Sequence, residues 1–141
     1  MERAGQCLCG QIKLTINDDN AELDVCHCKN CQLQSGSAYA PFLAVALDNL
    51  SVGGDPKCFA DSNTVSGRTV RRYFCGDCGS PAYVVVERAL TTAYVFTGLL
   101  DQCGQRFTDG RQPNTRGSRL VRVDCNTTWI QGFPPASIRS W

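Results

Sequence analysis

Three cysteine clusters carry most of the chemistry open to this chain: Cys7-Leu8-Cys9-Gly10, Cys26-His27-Cys28-Lys29-Asn30-Cys31 and Cys75-Gly76-Asp77-Cys78-Gly79. Thiolates suit zinc, which takes four ligands in a tetrahedron. Along an extended strand residues i and i+2 face the same side, so each C-x-C pair is expected to grip one ion from a strand. In C-x-x-C the backbone must fold back over the metal. A glycine just after the second cysteine permits that tight turn, and Gly10 and Gly79 stand in such places.

Pairing the first cluster with the third gives Cys7, Cys9, Cys75 and Cys78, a closed set of four thiolates. It would join the first strand to a knuckle far along the chain. Closing so long a loop makes metal binding part of folding, so this set reads as structural. The middle cluster then offers Cys26, Cys28 and Cys31. Three protein ligands and one open position is the arrangement of a catalytic zinc. A fourth ligand would close that site, and the candidates are His27, Cys58, Cys103 and Cys125. Strand alternation would turn His27 away from its neighbours, and isolated cysteines are more often small buried apolar side chains. The open site is the expectation, with two zinc ions per chain.

Ten cysteines beside a single histidine could instead form disulfides. The compartment and the size of the chain argue against that. Met1-Glu2-Arg3-Ala4-Gly5-Gln6 shows no apolar leader, which predicts a soluble cytoplasmic protein whose thiols are reduced or metal-bound. A chain of 141 residues with 43% hydrophobic content can bury a core without covalent staples. A net charge of +1 excludes a polybasic nucleic-acid or membrane-surface binder. The partner expected is a small molecule. Neither Ala38–Leu47 nor Ala82–Val86 is long enough to span a bilayer.

The elements that must position the cysteines read as short strands separated by turns, within one domain covering 1–141. Strands are predicted at Gln11–Ile16, Leu23–Cys28, Ala38–Val45, Arg68–Phe74, Ala82–Glu87, Ala93–Thr97 and Leu120–Cys125, from alternation or from β-branched and aromatic content. Only Cys28–Ser35 suits a short helical turn. Gly104–Gly117 reads as a solvated loop, although Arg106, Arg111 and Arg116 on it could guide an anionic substrate. Asp77 reads as a turn residue, Ser35 and Ser37 as turn or substrate-binding hydroxyls, and Tyr39, Tyr83 and Tyr94 as core aromatics. No general base stands out.

The order C-x-C-G, C-H-C-x-x-C, C-x-x-C-G, carried by CLCGQIKLTI, VCHCKNCQLQSGSAY and RRYFCGDCGSPAY, resembles the glutathione-dependent formaldehyde-activating enzymes. Those enzymes share a domain with centromere protein V. The likeness extends more loosely through Thr97–Asp101 and the region of Trp129. It implies a mainly β, Mss4-like fold of folded-over antiparallel sheets with zinc knuckles. It also implies a structural zinc on Cys7, Cys9, Cys75 and Cys78, and a catalytic zinc on Cys26, Cys28 and Cys31. The implied activity is that of a carbon–sulfur lyase or synthase, joining glutathione and formaldehyde as S-hydroxymethylglutathione or splitting that adduct. Zinc deprotonates a coordinated thiol or polarises a carbonyl, and either role would serve. Three cysteinates weaken its Lewis acidity, which hydrogen bonds from knuckle amides to the sulfurs would temper. The alternatives are dehydration, elimination or cyclisation of another carbonyl metabolite, and a non-catalytic zinc-bearing binding module.

Overall fold

A computed structural model describes residues 2–101 of the chain. Its strands are β1 (Glu2–Gln6), β2 (Lys13–Asn17), β3 (Glu22–Cys26), β4 (Ala40–Ala46), β5 (Leu50–Gly53), β6 (Lys57–Asp61), β7 (Val70–Phe74), β8 (Pro81–Val86) and β9 (Thr92–Phe96). One short helix, α1 (Lys29–Ser35), follows β3. The strands form a small sheet ordered β1-β2-β5 and a large one ordered β3-β4-β9-β8-β7-β6, antiparallel at each pairing. The mainly β expectation holds.

Side-chain alternation explains how the sheets meet. In β2, Leu14 and Ile16 point inward and are fully buried, while Lys13 and Asn17 face water. In β4 and β9 the buried set includes adjacent residues, Phe42 with Leu43 and Val95 with Phe96, as expected of strands covered on both faces. Leu14 and Ile16 share one core cluster with Leu43, Val45 and Val95 of the large sheet. Each such side chain contributes about 1.5–3 kcal/mol by leaving water.

Polar contacts lock the two sheets together at their ends. Gly5 of β1 bridges Leu100, and the Asp101 amide donates to the Ala4 carbonyl at 2.9 Å. A side chain at position 5 would collide with the Leu99 carbonyl, so the strand needs glycine there. At the far end of β2, the Asp18 carboxylate accepts the Ala46 amide at 3.0 Å and the Asn20 amide at 2.9 Å.

Three strands fall outside the sequence expectation: β1, β5 and β6. All three are sheet edges. β6 leaves Lys57, Cys58, Phe59 and Ala60 exposed and buries only Asp61, so it carries no apolar alternation to read. The expected strand Leu120–Cys125 and the loop Gly104–Gly117 lie outside the described residues. Among those residues no helix is long and apolar enough to cross a membrane.

Candidate metal centres

The four-cysteine set is built from two hairpin loops, one from each sheet. β1 runs directly into Cys7, and β7 runs directly into Cys75. The expected strand geometry for Cys7 and Cys9 does not hold. A turn carries them instead: the Gly10 amide donates to the Cys7 carbonyl at 3.0 Å, and Gly10 takes a φ of 79°. The second knuckle repeats the device, with the Gly79 amide on the Cys75 carbonyl at 2.9 Å and a φ of 74°. Both values lie in the left-handed region that glycine enters without strain, so the role read for Gly10 and Gly79 holds.

These turns bring four sulfurs together. Cys9 Sγ lies 3.6 Å from Cys7 Sγ and 3.6 Å from Cys75 Sγ, and Cys78 completes the group. Sulfurs bound tetrahedrally at zinc distance stand about 3.8 Å apart, so the spacing suits one ion. The Ile12 amide donates to Cys7 Sγ at 3.2 Å. Ser80 links the knuckles, its Oγ accepting the Leu8 amide at 3.1 Å and lying 3.2 Å from Cys78 Sγ. The Ser80 hydroxyl and amide pull the Cys78 thiol down to about 5. The Gln11 amide pulls Cys9 down, but burial and the sulfurs of Cys78, Cys7 and Cys75 push it up to about 12. Four thiols this close resist full ionisation among themselves, and a dication removes that resistance.

Cys26, Cys28 and Cys31 form the second group, with sulfurs within 4.8 Å of one another. Cys26 and Cys28 do not share a strand face, as the alternation had implied. β3 ends at Cys26, the chain turns at His27, and Cys28 caps α1 by accepting the Cys31 amide on its Sγ at 3.4 Å. Cys31 is buried in the first turn of the helix. Burial first, then the neighbouring sulfurs of Cys26 and Cys28, push its thiol up to about 12. His27 is exposed, with its ring 5.8 Å from that of Tyr39, and it does not join the group. Cys58 sits exposed on β6, away from both groups, and is not the buried apolar residue expected of a lone cysteine. Cys103 and Cys125 lie outside the described residues. Among those residues, three thiols and no fourth cysteine, histidine or carboxylate make up this centre.

A buried ion pair stands against it. Arg72 and Asp61 are each 6% exposed. Asp61 Oδ2 receives Arg72 Nε at 2.8 Å, Arg72 Nη2 at 2.8 Å and Asn30 Nδ2 at 2.8 Å. Arg72 Nη1 donates to Gln34 Oε1 at 2.6 Å and reaches Cys31 Sγ at 3.8 Å. Burial pushes the Asp61 carboxyl up, but the Asn30 amide and the Arg72 guanidinium outweigh it and hold the group below its ordinary value. A cavity of about 540 Å³ is lined by Arg72, Asp61, Asn30 and Gln34 together with Leu33, Phe59, Phe74 and Pro81, and by none of the three cysteines.

Sequence reasoning missed Arg72, Asp61, Asn30 and Gln34. One signal was present: in Val70-Arg71-Arg72-Tyr73-Phe74, Arg72 occupies the same strand face as Val70, and that face is buried. The remaining candidates have structural surroundings. Ser35 Oγ donates to the Tyr39 carbonyl and accepts the Ser37 amide, which holds the turn after α1. Tyr83 stacks on Tyr73 with centroids 4.4 Å apart, and Tyr94 packs edge-on to Phe42. Burial, followed by the nearby Tyr73 and Cys58, pushes the Tyr83 hydroxyl up to about 12. Asp77 is exposed in its knuckle.

Two antiparallel sheets that meet at a four-thiol knuckle pair, with a three-thiol group at the end of β3, define a β domain whose clustered cysteines could hold metal. The family profile described as glutathione-dependent formaldehyde-activating enzyme matches residues 2–116, and the chain belongs to that family. A crystal structure of a Rhodobacter sphaeroides protein, determined as a structural-genomics target, shares the fold with a TM-score of 0.57 at 18% identity. That match covers 73% of this chain and 92% of the other.

Proposed function

We propose that the chain is a zinc-dependent carbon–sulfur lyase or synthase that adds a thiol to, or removes it from, a small carbonyl compound. Glutathione and formaldehyde are the first pair to test, on the strength of the family. The observation that carries the reading is the grouping of Cys26, Cys28 and Cys31 without a fourth ligand among the described residues, next to a separate closed set. In this reading Cys7, Cys9, Cys75 and Cys78 hold a structural zinc, and Cys26, Cys28 and Cys31 hold a catalytic one. Bound there, zinc supplies a positive centre that favours a substrate thiolate or polarises a carbonyl oxygen. The protein's own contribution is placement. The β3–α1 turn fixes three sulfurs, and Arg72, which reaches Cys31, also lines an open cavity with Leu33, Phe59 and Phe74 where the bulk of a substrate could rest. Such reduced thiolate centres suit a cytoplasmic setting.

The cavity favours a second substrate class within the same chemistry. Its exposed lining is mainly apolar, and the one cation lining it among the described residues, Arg72, is already paired with Asp61. A less charged carbonyl compound or thiol than glutathione fits those walls better. The zinc-loaded protein should be mixed with formaldehyde and glutathione, and S-hydroxymethylglutathione followed by NMR against the uncatalysed rate. Acceleration that disappears in Cys28→Ser supports the glutathione reading. Acceleration only with uncharged thiols or larger carbonyls moves the substrate to the second class. No acceleration with any thiol–carbonyl pair overturns both.

A further inference from the structure

Packing alone gives no reason for an arginine at position 72. The neighbouring inward position of β7 holds Val70, and burying a guanidinium costs several kcal/mol before any partner repays it. The ion pair is also oriented. The Nε and Nη2 edge of the guanidinium faces Asp61, which Asn30 holds from α1. The remaining nitrogen, Nη1, is fixed between Gln34 Oε1 and Cys31 Sγ. The positive end of the pair thus faces the sulfur and the negative end faces away.

Three thiolates exceed the charge of one divalent ion, and strong thiolate donation makes the metal a poor acceptor for a further ligand. A hydrogen bond to a ligating sulfur reduces that donation, and partners outside the coordination sphere commonly change metal-site behaviour by about 10–100-fold. We propose that Arg72 is a positioning residue of the three-cysteine centre: pinned by Asp61, it donates an N–H to Cys31 Sγ, weakens that sulfur as a donor and keeps the fourth metal position exchangeable. The inference rests on reading Cys26, Cys28 and Cys31 as an open metal site. It assigns to a side chain the sulfur hydrogen bond that the sequence suggested for knuckle amides.

The test uses the full chain loaded with cadmium, whose NMR resonance reports thiolate donation at each centre separately. Two variants keep the fold accessible. Arg72→Lys retains the charge opposite Asp61, but one ammonium group cannot span Asp61, Gln34 and Cys31 together. The double variant Asp61→Leu/Arg72→Met removes both charges, so no buried carboxylate is left unpaired. The three-cysteine resonance is expected to move to higher frequency in both variants, further in the double one, while the four-cysteine resonance stays in place. Binding of ethanethiol at the three-cysteine cadmium should weaken by about tenfold. An unmoved three-cysteine resonance in the folded double variant overturns the proposal, as does an equal shift of both resonances. A wild-type protein that shows only the four-cysteine resonance overturns the open-site reading as well.

Discussion

The two cysteine groups solve opposite problems. The four-cysteine set draws on residues 66 positions apart, and its sulfurs sit on hairpin loops from different sheets. Backbone amides and Ser80 hold it in place, and Cys7 and Cys75 are almost wholly buried. The three-cysteine set comes from a single short segment at the end of β3 and the start of α1. Its Cys28 sulfur also accepts a backbone amide, but Cys31 is reached by a side chain, Arg72, which Asp61 and Gln34 hold in place. A centre that joins distant segments changes the entropy of the unfolded chain and so belongs to stability. A centre made locally joins little, so its cost must be justified by what it binds. In the proposed reading, the difference teaches that identical donor atoms acquire different roles from the chain that carries them.

The comparison breaks most visibly if the closed set is damaged. In Cys75→Ser the metal contribution that joins the sheets is lost. That loss should exceed the roughly 5–15 kcal/mol by which domains are stable, leaving little folded protein by circular dichroism. Cys28→Ser should behave in the opposite way. Thiol–carbonyl turnover should fall by more than the about 100-fold that follows loss of an outer partner, with the thermal midpoint nearly unchanged. Equal unfolding in the two variants would erase the distinction.

A smaller effect sharpens the contrast, since Asp18 joins the sheets without metal. The Ala46 amide, helped by that of Asn20, holds the Asp18 carboxyl below its ordinary value against the effect of burial. A carboxyl whose folded value is depressed stabilises the protein above its unfolded value of about 3.9, and the contribution disappears as the pH falls through the lower folded value. Asp18→Asn should therefore lose about 1 kcal/mol at neutral pH. Its stability should also fall less steeply than that of the wild type on acidification below about pH 4. Parallel stability curves would contradict the assignment.

The grouping of the cysteines into a set of four and a set of three was legible because donor type and spacing are local facts. Gly10 and Gly79 announced the turns, and β2, β4, β7, β8 and β9 announced themselves by apolar content. Of the four edge strands, β3 was legible in Leu23–Cys28, while β1, β5 and β6, with at most one buried side chain each, stayed hidden. The geometry of the C-x-C pairs was misread for a related reason. Period-two alternation applies only while the strand continues, and β1 stops at Gln6 while β3 stops at Cys26. The Arg72–Asp61 pair depends on two strands and a helix meeting, a relation that spacing along the chain does not encode.

The central claim is that one centre holds the fold and the other holds an exchangeable position. The direct measurement is zinc release into a chromophoric chelator, recorded together with circular dichroism on the same sample. The account predicts two zinc ions per chain: one leaving quickly with the sheets intact, the other leaving only as the protein unfolds. A single zinc per chain, or two released together with loss of structure, would contradict it.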